Sequence, residues 1–240
     1  MLILGIETAT AQVACALGNQ DGILAVTSLG RPRRHVESLV PAIEFTCRQA
    51  GVTLDSVHCI AVDVGPGLFS GLRVGVATAK ALAQALRVPT VGVPSLDLLA
   101  FPVRFSSRLI VPVIDARRGE VFCAFYRQVP GGVQRLSPHQ LLSPADLASE
   151  LLARNEECLL VGDGALRYTE QLGETVSFEL GGPLHSSPSA EALVDLAHAR
   201  ALREEFSAFW DLEPLYLRRS DAEINWATAA DARASDRRAG

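Results

Sequence analysis

The sequence predicts an α/β protein built from two similar halves, each with three strands followed by alternating helix and strand. Three observations carry this. Three short apolar segments open the chain, "LILGIET", "QVACALG" and "GILAVTS", broken at Ala9 and Thr10 and again at the turn "NQDG". Helix-period and strand-period segments then alternate. The same order returns after residue 104, a self-similarity that marks a duplicated unit.

Element by element, the three opening segments read as an antiparallel meander. Val36, Leu39, Val40, Ile43 and Cys47 fall at steps of three and four, the stripe of a helix over 36–50, in which Pro41 removes one backbone hydrogen bond. "HCIAVDV" is a buried strand, a small-residue helix covers 70–86, "PTVGV" is a strand, and a short helix starts near Ser95. In the second half "RLIVPVID" and "EVFCAFYR" are strands around "ARRG", and "PGG" turns into a third, "VQRLSPHQLL". Ser143 followed by Pro144 opens a helix as cap and first residue. "CLLVGDG" is a strand with a helical stretch from Ala165, and 189–205 is a final helix with Ala192, Leu193, Leu196, Ala197 and Ala201 on one face. The predicted division is an N-terminal subdomain over 1–104, a C-terminal subdomain over 105–220 and a flexible Ala/Arg/Asp-rich tail over 221–240.

Composition narrows the functional classes. The 240 residues are 48% hydrophobic with a net charge of −5, which disfavours a dedicated nucleic-acid surface. No apolar run reaches the roughly 18 residues of a membrane span, and Met1 leads directly into a strand-like segment, so the expected location is the cytoplasm. Five scattered cysteines and five scattered histidines form no metal-ligand spacing, and no metal site is expected.

The most conspicuous motif is "GPGLFSGLRVG" at 65–75. It is not a Walker A loop, because Ser70 stands five residues after Gly65 and no Gly-Lys-Ser/Thr follows. As a dinucleotide fingerprint it fails twice: Pro66 lacks an N–H, and no ribose-binding acid ends "PTVGV", the nearest being Asp97 in the next helix. It reads as a corner in which Gly65 and Gly67 make a tight strand exit and Ser70 caps the helix. That helix carries Gly71, Gly75, Ala79 and Ala83 at steps of four, a ridge that admits close approach of another helix or of the domain's own sheet. Leu72, Val76, Leu82 and Leu86 add apolar surface beside Arg73, and Leu39, Ile43 and Phe45 supply it on the preceding helix.

The order of elements resembles the actin-like ATPase (ASKHA) superfamily, in which two duplicated βββαβα-type subdomains with mixed sheets face each other across a nucleotide cleft. The resemblance places the phosphate turns at "GIETAT", with Glu7, Thr8 and Thr10, and at "VIDARRGE", with Asp115; it places the adenosine corner at "LLVGDGA", with Gly162 and Gly164. A closer resemblance is carried by "HVESLVPAI", "GPGLFSGLRVG", "IDARRGEVF" and "EPLYLR", which occur in the order and spacing of the TsaB (YeaZ) family. The resemblance runs from about Leu2 to Arg218, nearly the whole chain.

That resemblance implies a role in the bacterial machinery that places threonylcarbamoyl on N6 of the adenosine beside the tRNA anticodon. TsaB proteins resemble a degenerate copy of the catalytic paralogue TsaD and act as its scaffold, with the ATPase TsaE and the synthase TsaC completing the pathway. The implied partners are TsaD, TsaE, a second copy of the chain, and tRNA indirectly through the complex. The implied partner surface is the pair of helices carrying Leu39, Ile43, Leu72, Arg73, Val76, Ala79 and Ala83. The paralogue's metal-binding H-x-x-x-H corresponds to Ser95 and Leu99, which cannot replace those ligands. His35 resembles the family's histidine before the first helix, where a cap or surface role is the simplest account.

The first turn reads Glu7-Thr8-Ala9-Thr10 in place of D-x-G-T, so a longer acid and a Cβ oppose productive hydrolysis, and Asp163 adds negative charge at the adenosine corner. ADP or ATP binding is left open, no cofactor of the chain's own is expected, and catalysis by the chain alone is not. The alternative is an active actin-like ATPase or phosphotransferase using Glu7 or Asp115 to position magnesium. A metalloprotease is set aside for want of H-x-x-x-H or H-E-x-x-H.

Overall fold

The computed structural model describes residues 1–30, 35–174 and 176–218, so the predicted tail at 221–240 lies outside the described residues. The first half forms β1 (Ile3–Glu7), β2 (Val13–Asn19), β3 (Gly22–Leu29), α1 (His35–Ala50), β4 (Cys59–Gly65), α2 (Phe69–Leu86), β5 (Thr90–Pro94) and α3 (Ser95–Ala100). The second forms β6 (Leu109–Arg117), β7 (Glu120–Cys123), β8 (Tyr126–Val129), β9 (Gly132–Arg135), β10 (Gln140–Leu142), α4 (Pro144–Arg154), β11 (Cys158–Val161), α5 (Asp163–Arg167), α6 (Thr169–Gly173), β12 (Glu179–Leu180) and α7 (Ala190–Leu202).

The duplication is explicit in the topology. The first sheet runs β3-β2-β1-β4-β5, with β1–β2 and β2–β3 antiparallel and β1–β4 and β4–β5 parallel. The second runs β10-β7-β6-β11-β12, the same order once the β8–β9 hairpin is recognised as an insertion. Two mixed sheets of this repeated connectivity make the actin-like fold that the sequence implied.

The inserted hairpin corrects two strand boundaries. "EVFCAFYR" is not one strand: β7 stops at Cys123, and β8 leaves it to pair with β6 and β9. The break is held by the Phe125 N–H donating to Ser137 Oγ (3.1 Å) and the Leu136 N–H donating to the Phe125 carbonyl (2.7 Å). "VQRLSPHQLL" is likewise divided into β9 and β10, with Pro138, which cannot donate to a ladder, in the interval.

The central strands β1, β4, β6 and β11 are buried on both faces, which explains their near-continuous apolar sequence. α1 and α2 cover one face of the first sheet, where Leu4, Ile6, Ile60 and Val62 meet Leu39, Ile43, Val76 and Ala79. The opposite face is covered by α7, whose Leu193, Val194 and Ala197 pack on Ile3, Ala14, Ala16 and Cys59. The division at 104/105 is therefore one of sequence, since α7 from the second half completes the core of the first. α4 and α5 cover the second sheet through Leu147, Leu151 and Ala165.

The "EPLYLR" segment is a strap between the halves. The Leu215 N–H donates to the Val64 carbonyl (2.6 Å), Tyr216 lies 5.1 Å from the Phe69 ring, and Arg218 donates to the Ala116 carbonyl (2.8 Å) and pairs with Glu120. At α4 the predicted cap is present, with Ser143 Oγ accepting from the Asp146 N–H (3.1 Å). Ser143→Ala should lower stability by about 1 kcal/mol in urea unfolding, with an unchanged m-value.

Candidate functional site

The first turn, residues 7–10, is filled from within. Glu7, Thr8 and Thr10 are all buried. The Ala9 N–H donates to Glu7 Oε1 (2.8 Å), Thr8 Oγ1 donates to the Gly71 carbonyl (2.8 Å), and the Leu68 N–H donates to the Ala9 carbonyl (2.7 Å). His35 joins this turn: its Nε2 lies 2.9 Å from the Thr10 carbonyl oxygen.

The glycines of the 65–75 motif exist for this contact. A Cβ at Gly67 would lie 2.2 Å from the Ala9 carbonyl oxygen, at Gly71 2.0 Å from that of Thr8, and at Gly75 2.2 Å from Thr8 Oγ1. The motif is thus a packing corner, as its failure against both phosphate-loop patterns implied. Ser70 is not the cap; the residue before the helix is Leu68, and no side chain caps that end. The Thr8 hydroxyl and the Ala9 carbonyl are spent on α2.

The second half repeats the device. A Cβ at Gly162, which has φ of 108°, would lie 2.2 Å from the Val113 carbonyl oxygen, and one at Gly164 would lie 2.9 Å from the Asp115 nitrogen. These glycines let the corner approach β6 of its own sheet. Asp163 Oδ1 accepts the Asp115 N–H (3.0 Å), and burial raises the Asp163 carboxyl above its ordinary range. Asp115 itself is buried and clamped by Arg117 Nη1 (3.0 Å), Arg167 Nη1 (3.2 Å) and Tyr168 Oη (3.3 Å).

Two acids were candidates for positioning magnesium, and neither is disposed as a free anion. Burial first, and then the nearby Asp63, push the Glu7 carboxyl well above the usual carboxylate range. Asp115 is already paired with two guanidinium groups. Among the described residues no group of three or more His, Cys, Asp or Glu is arranged to hold a metal ion.

Sequence reasoning missed Asp63 and the role of Ser95. Asp63 reads as one polar residue in an apolar strand, yet its Oδ1 accepts from Ser95 Oγ (2.6 Å) and the Gly65 N–H (2.8 Å). Ser95 is thus a buried donor, while Leu99 at the companion position is core. An acid inside "IAVDV" was the available signal.

The residues expected to form the partner surface also need revision. Leu39, Ile43, Leu72, Val76, Ala79 and Ala83 are all buried within the chain, because the Gly71/Gly75/Ala79/Ala83 ridge faces its own sheet and first turn. Arg73 alone of that set is exposed, stacked 4.2 Å from the Phe69 ring centroid. The outward surface is made by other residues: Val36 (72% exposed), Val40 (52%) and Phe45 (44%) on α1, and Ala77, Ala81 and Ala85 at steps of four on α2.

A two-lobed actin-like protein whose first turn is occupied by its own helix is the class that this geometry defines. The family model for TsaD, tRNA N6-adenosine threonylcarbamoyltransferase, matches residues 31–226. The chain is 28% identical over 228 residues to the tRNA threonylcarbamoyladenosine biosynthesis protein TsaB of Bacillus subtilis, covering 94% of this chain and 98% of that one. It is 28% identical over 225 residues to TsaB of Escherichia coli, covering 92% and 96%. The solved structure of YeaZ from Pseudomonas aeruginosa superposes with a TM-score of 0.78 at 28% identity, covering 90% of this chain and 99% of that one. The chain belongs to the tRNA N6-adenosine threonylcarbamoyltransferase family and, within it, to the TsaB (YeaZ) members.

Gly71→Ala should cost about 3 kcal/mol, the upper part of the overpacking range, because the obstruction is a backbone carbonyl that no rotamer change moves. Gly119→Ala, where no atom lies within 4 Å but φ is 76°, should cost only about 1 kcal/mol. Urea midpoints of the two variants check the order.

Proposed function

We propose that this chain is a non-catalytic scaffold of tRNA threonylcarbamoyladenosine synthesis and works by pairing with a TsaD catalytic paralogue in the cytoplasm. The observation that carries the reading is the outward side of α1. Val36 and Val40 are exposed along one flank of a helix whose inner side is buried on the sheet, and Phe45 is exposed on the opposite flank. On α2 the Ala77/Ala81/Ala85 ridge offers a second helix face at which a partner helix can approach closely. Both helices lie on the same side of the first sheet, so one partner can engage both.

The state of the turns supports the non-catalytic half of the reading. Glu7 is buried and held toward its neutral form, the Thr8 hydroxyl is committed to α2, and Asp115 is paired with arginine. An ATPase or phosphotransferase would need one of these acids ionised and open to a metal-bound phosphate. On this reading the chain brings no nucleotide chemistry of its own. TsaE joins through the assembled pair, tRNA is met through the catalytic partner, and pairing of two copies uses the same α1/α2 face in the partner's absence.

The test is co-expression of the tagged chain with the TsaD paralogue, wild type against Val40→Glu and Phe45→Glu. These positions are exposed, so the variants should fold with melting temperatures near that of wild type. A charge at the centre of an apolar interface should weaken the complex by about 2 kcal/mol or more, roughly thirtyfold, and reduce tRNA threonylcarbamoylation in parallel. Full assembly and modification by both variants would reject this interface. ATP turnover by the isolated wild-type chain, abolished by Asp115→Asn, would favour the phosphotransferase reading.

A further inference from the structure

Two acids in the first half sit side by side with no solvent. The parallel register of β1 and β4 sets Ile6 opposite Val62, and so brings Glu7 next to Asp63 on the adjoining strand. Adjacent strands are about 4.8 Å apart, and side chains at matched positions leave the same face. Both residues are 0% exposed. Each carboxyl has one satisfied oxygen and one, Glu7 Oε2 and Asp63 Oδ2, that is buried without a hydrogen-bond partner.

The surroundings supply donors to one oxygen of each acid and little to offset two charges. On the strand and helix that follow Asp63, the Gly65 N–H and Ser95 Oγ donate to it, and Asp97 adds a further acid from α3. Glu7 is met by the backbone of Ala9 and Thr10 and, from the second half, by the charge of Asp163 on α5. α2 meets this turn through Gly71 and Gly75, and α7 presents Val194 and Leu193 to the neighbouring Gly5. From α1, His35 lies on the Thr10 carbonyl. The nearby arginines are committed elsewhere: Arg117 and Arg167 to Asp115, Arg135 and Arg200 to Asp97.

Two carboxylates this close in a buried site cannot both ionise cheaply, and a proton held between two such groups belongs to the pair. We propose that Glu7 and Asp63 share one proton, and that this proton is a pH-sensitive latch holding turn 7–10 closed. Asp63 is anchored in the core by Gly65 and Ser95, whereas the donors to Glu7, Ala9 and Thr10, belong to the turn itself. Loss of the proton therefore moves the turn, and with it the Leu68 N–H bond to Ala9.

Titration has a definite sign here. Burial raises both carboxyls, Asp63 to about 7 and Glu7 well above its ordinary value. The folded chain thus holds more protons than the unfolded one. The stability carried by the protonated pair is complete below the unfolded carboxyl range, about pH 4, and is lost as pH rises through the pair's raised values.

The experiment compares the full chain with Asp63→Asn and Glu7→Gln from about pH 5 to about pH 9. In wild type the unfolding constant from urea titration should rise by up to tenfold per pH unit, and hydrogen-exchange protection at Ala9 and Leu68 should fall in step. Each variant should move this slope to lower pH without removing it, since burial still raises the acid that remains while the second charge beside it is gone. A slope that stays at its wild-type pH in both variants would overturn the proposal. Should the variants fail to fold, the carboxyl infrared band of the folded wild-type chain decides it: a protonated carboxyl at about pH 6, lost at higher pH together with protection at Ala9, supports the latch, and its absence at about pH 6 refutes it.

Discussion

The approach of α2 to the backbone of the first turn is the contact on which the rest of the first half depends. Gly67, Gly71 and Gly75 remove every Cβ that would meet Ala9 and Thr8, and the space gained lets backbone meet backbone. The Leu68 N–H and the Thr8 hydroxyl then close hydrogen bonds that water would otherwise make. With the axis of α2 set this way, Val76, Ala79 and Ala83 fall onto the sheet and Ala77, Ala81 and Ala85 fall outside. One constraint thereby closes the turn and decides which side of the helix is available.

The second half obeys the same constraint with different residues. Gly162 and Gly164 bring their corner onto β6, and Asp163 accepts the Asp115 N–H, where in the first half the Thr8 hydroxyl donates to the Gly71 carbonyl. Asp115 is neutralised by two arginines, whereas the acid of the first turn, Glu7, faces another acid. The duplicated fold thus carries two different electrostatic solutions to a buried carboxyl at a hairpin turn.

The strap at 213–218 makes the two corners mechanically dependent. Leu215 bonds to the end of β4 and Arg218 to the β6–β7 hairpin, so the β4 corner of one half is tied to the hairpin of the other by the four residues 215–218. α7 adds a second tie from the opposite side of the first sheet. Separation of the lobes would expose apolar surface of both Leu193 and Val194, which opposes it.

By itself the sequence determined the duplicated strand and helix order, the Ser143 cap, the two turns and the reading of 65–75 as a corner. Local propensity, apolar period and turn chemistry act over a few residues and are written in "LILGIET", "SPADL" or "GPG" directly. Only the tertiary structure decided that Leu39, Val76 and Ala83 face inward while Val40 and Ala81 face out, because the small-residue ridge of α2 suits a sheet and a partner helix equally well. It also decided that the apolar run after Glu120 breaks at Ala124, and that α7 belongs to the core of the other half. Asp63 was readable only as an acid in an apolar strand. Its meaning comes from Glu7, 56 positions away in the chain and one strand away in the sheet, and pairing across strands is set by register, which no local pattern encodes.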